Sequence, residues 1–186
     1  MSTRLAPTWL VLVWRLPTGG STDRVWMWRT LRRLGAAGLT PGAAALPYTE
    51  ELQEQLDWLA QEVEQHGGDA WVLPVTQLSG DEERRIRDRV NADRQAEYDA
   101  LREEAMSFLR RAADHPVPGS DAELPLRLRT EKELVTLQRR FQRIRTRDYF
   151  TAPGRREAAA TIDRCLAFRQ GISRKLSAVT DSGPEA

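Results

Sequence analysis

The residues with the clearest chemical potential are arginines near the middle of the C-terminal half. Between positions 127 and 147 stand Arg127, Arg129, Lys132, Arg139, Arg140, Arg143, Arg145 and Arg147 against only Glu131 and Glu133, a local charge of +6. Arg139, Arg140, Arg143 and Arg147 recur at helical spacings of three and four, so one ridge can carry all of them. Such a ridge can meet nucleic-acid phosphates, and its binding would then fall steeply with salt. It can equally hold a small oxyanion through forked guanidinium donors. A third reading is ion pairing with acidic surface. Residues 49 to 69 offer seven acids and no Lys or Arg.

A second cluster lies near the N-terminus. Trp26, Arg29 and Arg33 fall on the face opposite the expected core of a helix at about 22 to 34, and Trp with Arg is the composition of binding hot spots. Cover by another helix of the same chain is the alternative. Arg24 sits on the apolar arc instead, where either its stem lies along apolar surface or its guanidinium is held at the sheet rim as an anion ligand.

Signals for catalysis or metal binding are weak. His66 and His115 are the only histidines, Cys165 is the only cysteine, and neither H-x-x-x-H nor C-x-x-C occurs. A zinc site, a catalytic dyad and a cofactor are therefore not expected. Cys165, between Ile162 and Leu166, reads as a small core residue rather than a redox sensor. Gly19-Gly20-Ser21 before a helix is too loose for a phosphate-binding loop.

The elements that would position these side chains follow from periodicity. Thr8 to Leu16 is apolar at nearly every position, as in a strand covered on both faces, and Pro17 to Gly20 ends it. A helix follows with Met27, Trp28, Leu31 and Leu34 inward. Thr40-Pro41-Gly42 turns a hairpin. Thr49 caps a helix whose Leu52, Leu56, Leu59 and Val63 repeat at four, three and four; residues 69 to 78 form a last strand that Pro74 confines to a sheet edge. This order of strand, helix, strand, strand, helix, strand predicts an α+β, ferredoxin-like (βαββαβ) domain over residues 1–79.

Composition changes at Ser79. A charge-alternating helix carries Tyr98, Leu101, Ala105 and Phe108 on one stripe; Ile86 and Val90 fit that stripe less well, which leaves room for a break near Asn91 to Asp93. A Pro-rich linker leads to a helix capped by Thr130, with Leu134, Leu137, Phe141 and Ile144 inward. A final helix bears Ile162, Leu166, Ile172 and Leu176. The last two form a helical hairpin, so residues 80–180 are expected to be an α-helical extension and 181–186 a disordered tail.

The whole chain has 186 residues and a formal net charge of +1, so no global charge selects a partner. Of its 28 basic residues only Lys132 and Lys175 are lysines, and so heavy an arginine usage can also reflect genome composition. One cysteine fits a cytoplasmic setting, and no apolar run is long enough for a membrane span.

Trp9-Leu10, Leu16-Pro17, the R-x-x-x-W-R-x-L helix formed by Arg24, Trp28, Arg29 and Leu31, then Gly35, Gly42 and Leu46-Pro47 resemble the N-terminal domain of the ChrB family of chromate-resistance regulators. Tyr98 and Arg147-Asp148-Tyr149-Phe150 extend the likeness. It implies a cytoplasmic regulator of a chromate-efflux operon that binds operator DNA and releases it when chromate arrives. Family regulators usually carry a further C-terminal domain, and the sequence stops at Ala186; sensing or DNA binding is then expected to be missing or supplied by another protein. No helix-turn-helix is visible, so DNA contact would come from the basic helix or from Arg29, Arg32 and Arg33. The domain is also similar to the ferredoxin-like part of PaaX-type regulators and of CRISPR-associated nucleases. Where those nucleases place a metal-binding aspartate, this sequence has Arg15-Leu16-Pro17, which argues against phosphodiester cleavage.

The expectation is thus a non-enzymatic regulator binding DNA and/or chromate through Arg139, Arg140, Arg143, Arg147, Arg24 and Arg29. Trp26 and Arg33 would form an interface that serves a homodimer. The alternative is a protein-interaction or dimerisation module with no ligand of its own.

Overall fold

The computed structural model describes residues 8–17, 21–114 and 124–181. Its elements are β1 (Trp9–Arg15), α1 (Ser21–Leu34), β2 (Ala37–Thr40), β3 (Ala43–Pro47), α2 (Glu50–Gln65), β4 (Asp69–Val75), α3 (Gly80–Asp114), α4 (Leu124–Arg145) and α5 (Arg155–Asp181). The tail at 182–186, His115 and most of the Pro-rich linker lie outside the described residues. So do the side chains of Ile172 and Leu176.

The four strands form one sheet in the order β2-β3-β1-β4, and every neighbouring pair is antiparallel. Two interleaved βαβ units give this order, so the α+β, ferredoxin-like class holds. The continuous apolar run became the interior strand, and the strand containing Pro74 lies at an edge, where a missing N–H costs no ladder bond.

Alternation along β1 divides the first core in two. Leu10, Leu12 and Trp14 face Met27 and Leu31 of α1 and Leu52, Leu56, Leu59 and Val63 of α2, so both helices cover one face. Trp9 and Val11 face the other way, onto Ile86, Val90 and Phe150. The cover that an exposed second sheet face requires therefore comes from the first turns of α3 and from a short returning segment. Farther along β4, Trp71 and Leu73 remain about half exposed.

Local chemistry sets the ends. The Thr49 hydroxyl accepts from Leu52 N at 3.1 Å and caps α2. Gly67, at φ 77°, ends that helix in a conformation that L side chains rarely adopt. Ser79 and Glu82 form a reciprocal capping box at the start of α3: Ser79 N donates to Glu82 Oε2 at 3.2 Å, and Glu82 N to Ser79 Oγ at 3.3 Å. The Ser79 hydroxyl, which also donates to Glu82 Oε2 at 2.8 Å, and after it the Ser79 N–H hold the Glu82 carboxyl below its usual range. Gly38 leaves room for the Trp28 ring, which a Cβ would meet at 2.8 Å.

Two sequence expectations fail here. Helix α3 is unbroken through Asn91 to Asp93; the apolar stripe of Ile86 and Val90 continues at Arg94, which is 2% exposed, and then at Tyr98, Leu101, Ala105 and Phe108. Thr130 is not a cap, because α4 begins earlier, at Leu124. The intervening LPLRLR has no helix-breaking residue after Pro125, and proline is tolerated in a first turn.

The chain divides into two compact units. One holds the residues to Ala92 together with Arg147–Phe150, and the other holds Asp93–Thr146 and the residues from Thr151 on. In the second unit Leu134, Leu137, Phe141 and Ile144 of α4 pack with Tyr98, Leu101 and Phe108 of α3 and Ile162 and Cys165 of α5.

Candidate functional site: two arginine-bearing helix faces

The apolar stripe of α4 points its other side outward. Arg129, Lys132, Thr136, Arg139 and Arg143 follow at intervals of three and four, and all five are exposed. At 1.5 Å per residue, this row is about 21 Å long. The Thr136 hydroxyl donates to the carbonyl of Lys132 at 2.8 Å, and Arg143 Nε donates to that of Arg139 at 3.4 Å. Arg129, Lys132 and Arg139 form no ion pair among the described residues.

Only part of the expected ridge lies on this face. Arg139 and Arg143 do. Arg140 turns instead to Glu104 of α3, with which it is hydrogen-bonded and ion-paired, while Glu133 of α4 pairs with Arg111 of α3. Arg147 lies beyond the end of α4 and belongs to the first unit, where its Nη1 donates to the carbonyl of Arg32 at 2.7 Å. Beside it Tyr149 Oη donates to the carbonyl of Leu34 at 2.6 Å. Both bonds go to carbonyls of the last turn of α1, where the Arg32 carbonyl also accepts from Gly35 N at 3.1 Å. Conversely, Arg129 and Lys132 extend the row and were missed as site residues, although their spacing from Arg139 was readable once α4 was known to start at Leu124.

The second surface is the outer side of α1. Arg29, Arg32 and Arg33 are exposed there, and Arg33 Nη2 donates to Thr30 Oγ1 at 3.2 Å. Thr22, Val25, Trp26, Arg29, Thr30 and Arg33 line a groove of about 550 Å³. Arg24 is exposed as well, but it stands three and seven residues before the buried Met27 and Leu31, on the apolar arc at the N-terminal end of α1. Trp26 is half-buried rather than fully outward, because its ring lies 5.2 Å from that of His66 at the end of α2 and packs on the core. Arg15 is paired with Asp69 at 2.6 Å across the β1–β4 ladder.

Between α4 and α5, Gln138, Gln142, Arg145, Arg155 and Asp163 rim a smaller hollow of about 370 Å³ floored by Phe141, Ile162 and Leu166. The Cys165 thiol is fully buried and donates to the carbonyl of Ala105 at 3.6 Å. Burial pushes its pKa up despite the nearby Arg164, which leaves it a poor nucleophile. Among the described residues no three His, Cys, Asp or Glu side chains gather as metal ligands, and no helix is long and apolar enough to cross a membrane.

Fold and surface together define a class: a ferredoxin-like α+β domain with a helical extension, presenting arginines on two helices. A family model described as "Protein ChrB, N-terminal" matches residues 24–181. Protein ChrB of Cupriavidus metallidurans is 34% identical over 146 residues, covering 76% of this chain and 40% of that protein. The chain belongs to the ChrB N-terminal family, the family that the R-x-x-x-W-R-x-L helix pointed to. It spans about 40% of the length of the curated relative it matches. No solved structure matches it.

Proposed function

We propose that this chain is the nucleic-acid-contacting part of a cytoplasmic, chromate-responsive transcriptional regulator. The row on α4 would meet DNA phosphates, and chromate would act as the effector that weakens the contact. The protein acts by binding, not by catalysis. The observation that carries this reading is the exposed row of Arg129, Lys132, Arg139 and Arg143, three of whose cations have no carboxylate partner among the described residues. A cationic row about 21 Å long can follow a phosphate backbone, because each neutralised phosphate releases a condensed counterion. Family membership supports the link to chromate resistance at the family level.

Fluorescence anisotropy of a labelled DNA duplex, titrated with the full chain across a salt series, tests the proposal. Replacing Arg129, Lys132 and Arg139 together by alanine is expected to lower affinity and to flatten the salt slope by about 3. Chromate, set against equal sulfate, is expected to release the duplex. An unchanged salt slope in the triple variant overturns the DNA contact. Equal effects of chromate and sulfate overturn the effector assignment.

A further inference from the structure

The charges of the first unit are distributed in a way that the DNA reading does not use. Helix α1 carries four arginines and one aspartate, while α2 carries six acids and no Lys or Arg. The two helices lie side by side on one sheet face, yet among the described residues none of Arg24, Arg29, Arg32 and Arg33, and none of Glu50, Glu51, Glu54, Asp57, Glu62 and Glu64, is in an ion pair. Elsewhere pairing is common, as in Arg87 with Glu83 at 2.6 Å. The layer also presents large apolar groups: Trp58 on α2 is 62% exposed and Val25 on α1 is 47% exposed.

We propose that the α1–α2 layer is a self-association surface whose occupant is the same layer of a second copy of this chain. Strand connectivity makes α1 and α2 antiparallel. A two-fold axis running along the seam between them therefore sets α1 of one copy on α2 of the other, again antiparallel, and makes the reciprocal contact at the same time. Such an interface is isologous and closes as a dimer. Each basic helix then meets an acidic one. Trp58 of the second copy has a receptacle in the groove bounded by Val25, Trp26, Arg29 and Arg33. Arg29 and Arg33 come within reach of Glu54 and Asp57, which stand one turn before Trp58 and beside it on α2. Tryptophan and arginine at the centre of a patch, with charges around them, is the composition of an interface hot spot. Nucleic acid is a poorer occupant, because phosphates attracted to α1 would be repelled by six acids on the adjacent helix.

Sedimentation of the full chain over a range of concentrations tests the proposal, with circular dichroism to establish folding. The wild type is expected to dimerise, more weakly as salt rises. Arg29→Glu with Arg33→Glu, and separately Glu54→Arg with Asp57→Arg, are expected to be folded monomers. Mixed in equal amounts, the two variants are expected to form a heterodimer, since both reciprocal contacts regain opposite charge. Trp58→Ala, a change to an exposed residue that leaves the core intact, is expected to weaken the dimer by tenfold or more. A wild type that stays monomeric overturns the proposal. So does dimerisation that survives both charge reversals, a mixture that does not associate, or a dimer indifferent to Trp58→Ala. The DNA reading is unaffected by any of these outcomes, because it depends on α4.

Discussion

Helices α1 and α4 are both rich in arginine, but their inner neighbours treat them differently. α4 lies beside α3, whose Glu104 and Arg111 take up Arg140 and Glu133, so part of its charge is neutralised within the unit and a row is left on the outside. α1 lies beside the most acidic helix of the chain and pairs with none of its carboxylates. Basic composition alone does not define a ligand surface. What matters is which arginines are already taken and which neighbours would repel the ligand.

The largest effects come from the inner faces that hold the two helices in place. Leu31 of α1 and Leu137 of α4 are both buried, at 1% and 4% exposure. Truncating a buried leucine to alanine removes transfer energy and leaves a cavity, at a cost of about 2–5 kcal/mol. Leu31→Ala is expected to destabilise the first unit and Leu137→Ala the second, each read by hydrogen exchange of the amides of that unit. Equal loss of protection in both units from either variant would show that the two helices do not belong to separately cooperative cores.

The periods that place Leu31 and Leu137 were legible in the sequence, as were the interior strand, the edge strand with Pro74 and the cap at Thr49. These signals are local, because backbone geometry and burial repeat along the chain. The fates of individual arginines were not legible. Arg140 and Arg143 differ by less than one turn, and only the presence of Glu104 on another helix decides that Arg140 turns to it. Arg147 reads as the end of a basic ridge but donates to a carbonyl 115 residues away. The RDYF segment gave no sign of docking on α1, since nothing in its own composition specifies that partner. Arg94 escaped notice for a related reason. Ile86 and Val90 fit the stripe of Tyr98, Leu101, Ala105 and Phe108 less well, and that misfit drew attention to a break at Asn91 to Asp93 instead of to the residue that joins the two stretches.

Arg94 gives the next effect. Its Nη2 lies 3.3 Å from Glu97, but its Nε and Nη1 are buried without a hydrogen-bond partner, as is the neighbouring Asn91 Oδ1. Burying a guanidinium with unmet donors is costly, whereas an apolar side chain of similar length would continue the stripe from Val90 to Tyr98. Arg94→Met is therefore expected to stabilise the protein by about 1–4 kcal/mol in urea unfolding. A lower midpoint would mean that the guanidinium is worth more than its visible contacts, and the contrast between paired and unpaired arginines would have to be redrawn.

The smallest effect separates the two arginine faces most directly. Arg140 has a carboxylate partner on α3, whereas Arg33 has only the Thr30 hydroxyl of its own helix. Arg140 and Glu104 are partly exposed, so solvent screens their attraction and holding two long side chains costs entropy; such a pair contributes about 0.2–1 kcal/mol. Arg140→Ala is expected to lower stability by that amount and to do so less at high salt. Arg33→Ala, measured in the monomer at low concentration, is expected to stay within about 0.5 kcal/mol of wild type. A double-mutant cycle of Arg140 with Glu104 isolates the pair from other consequences of truncation. A coupling energy of zero would place Arg140 with Arg129, Lys132 and Arg139 of the exposed row, and α4 would then present a broader basic face than its ion pairs suggest.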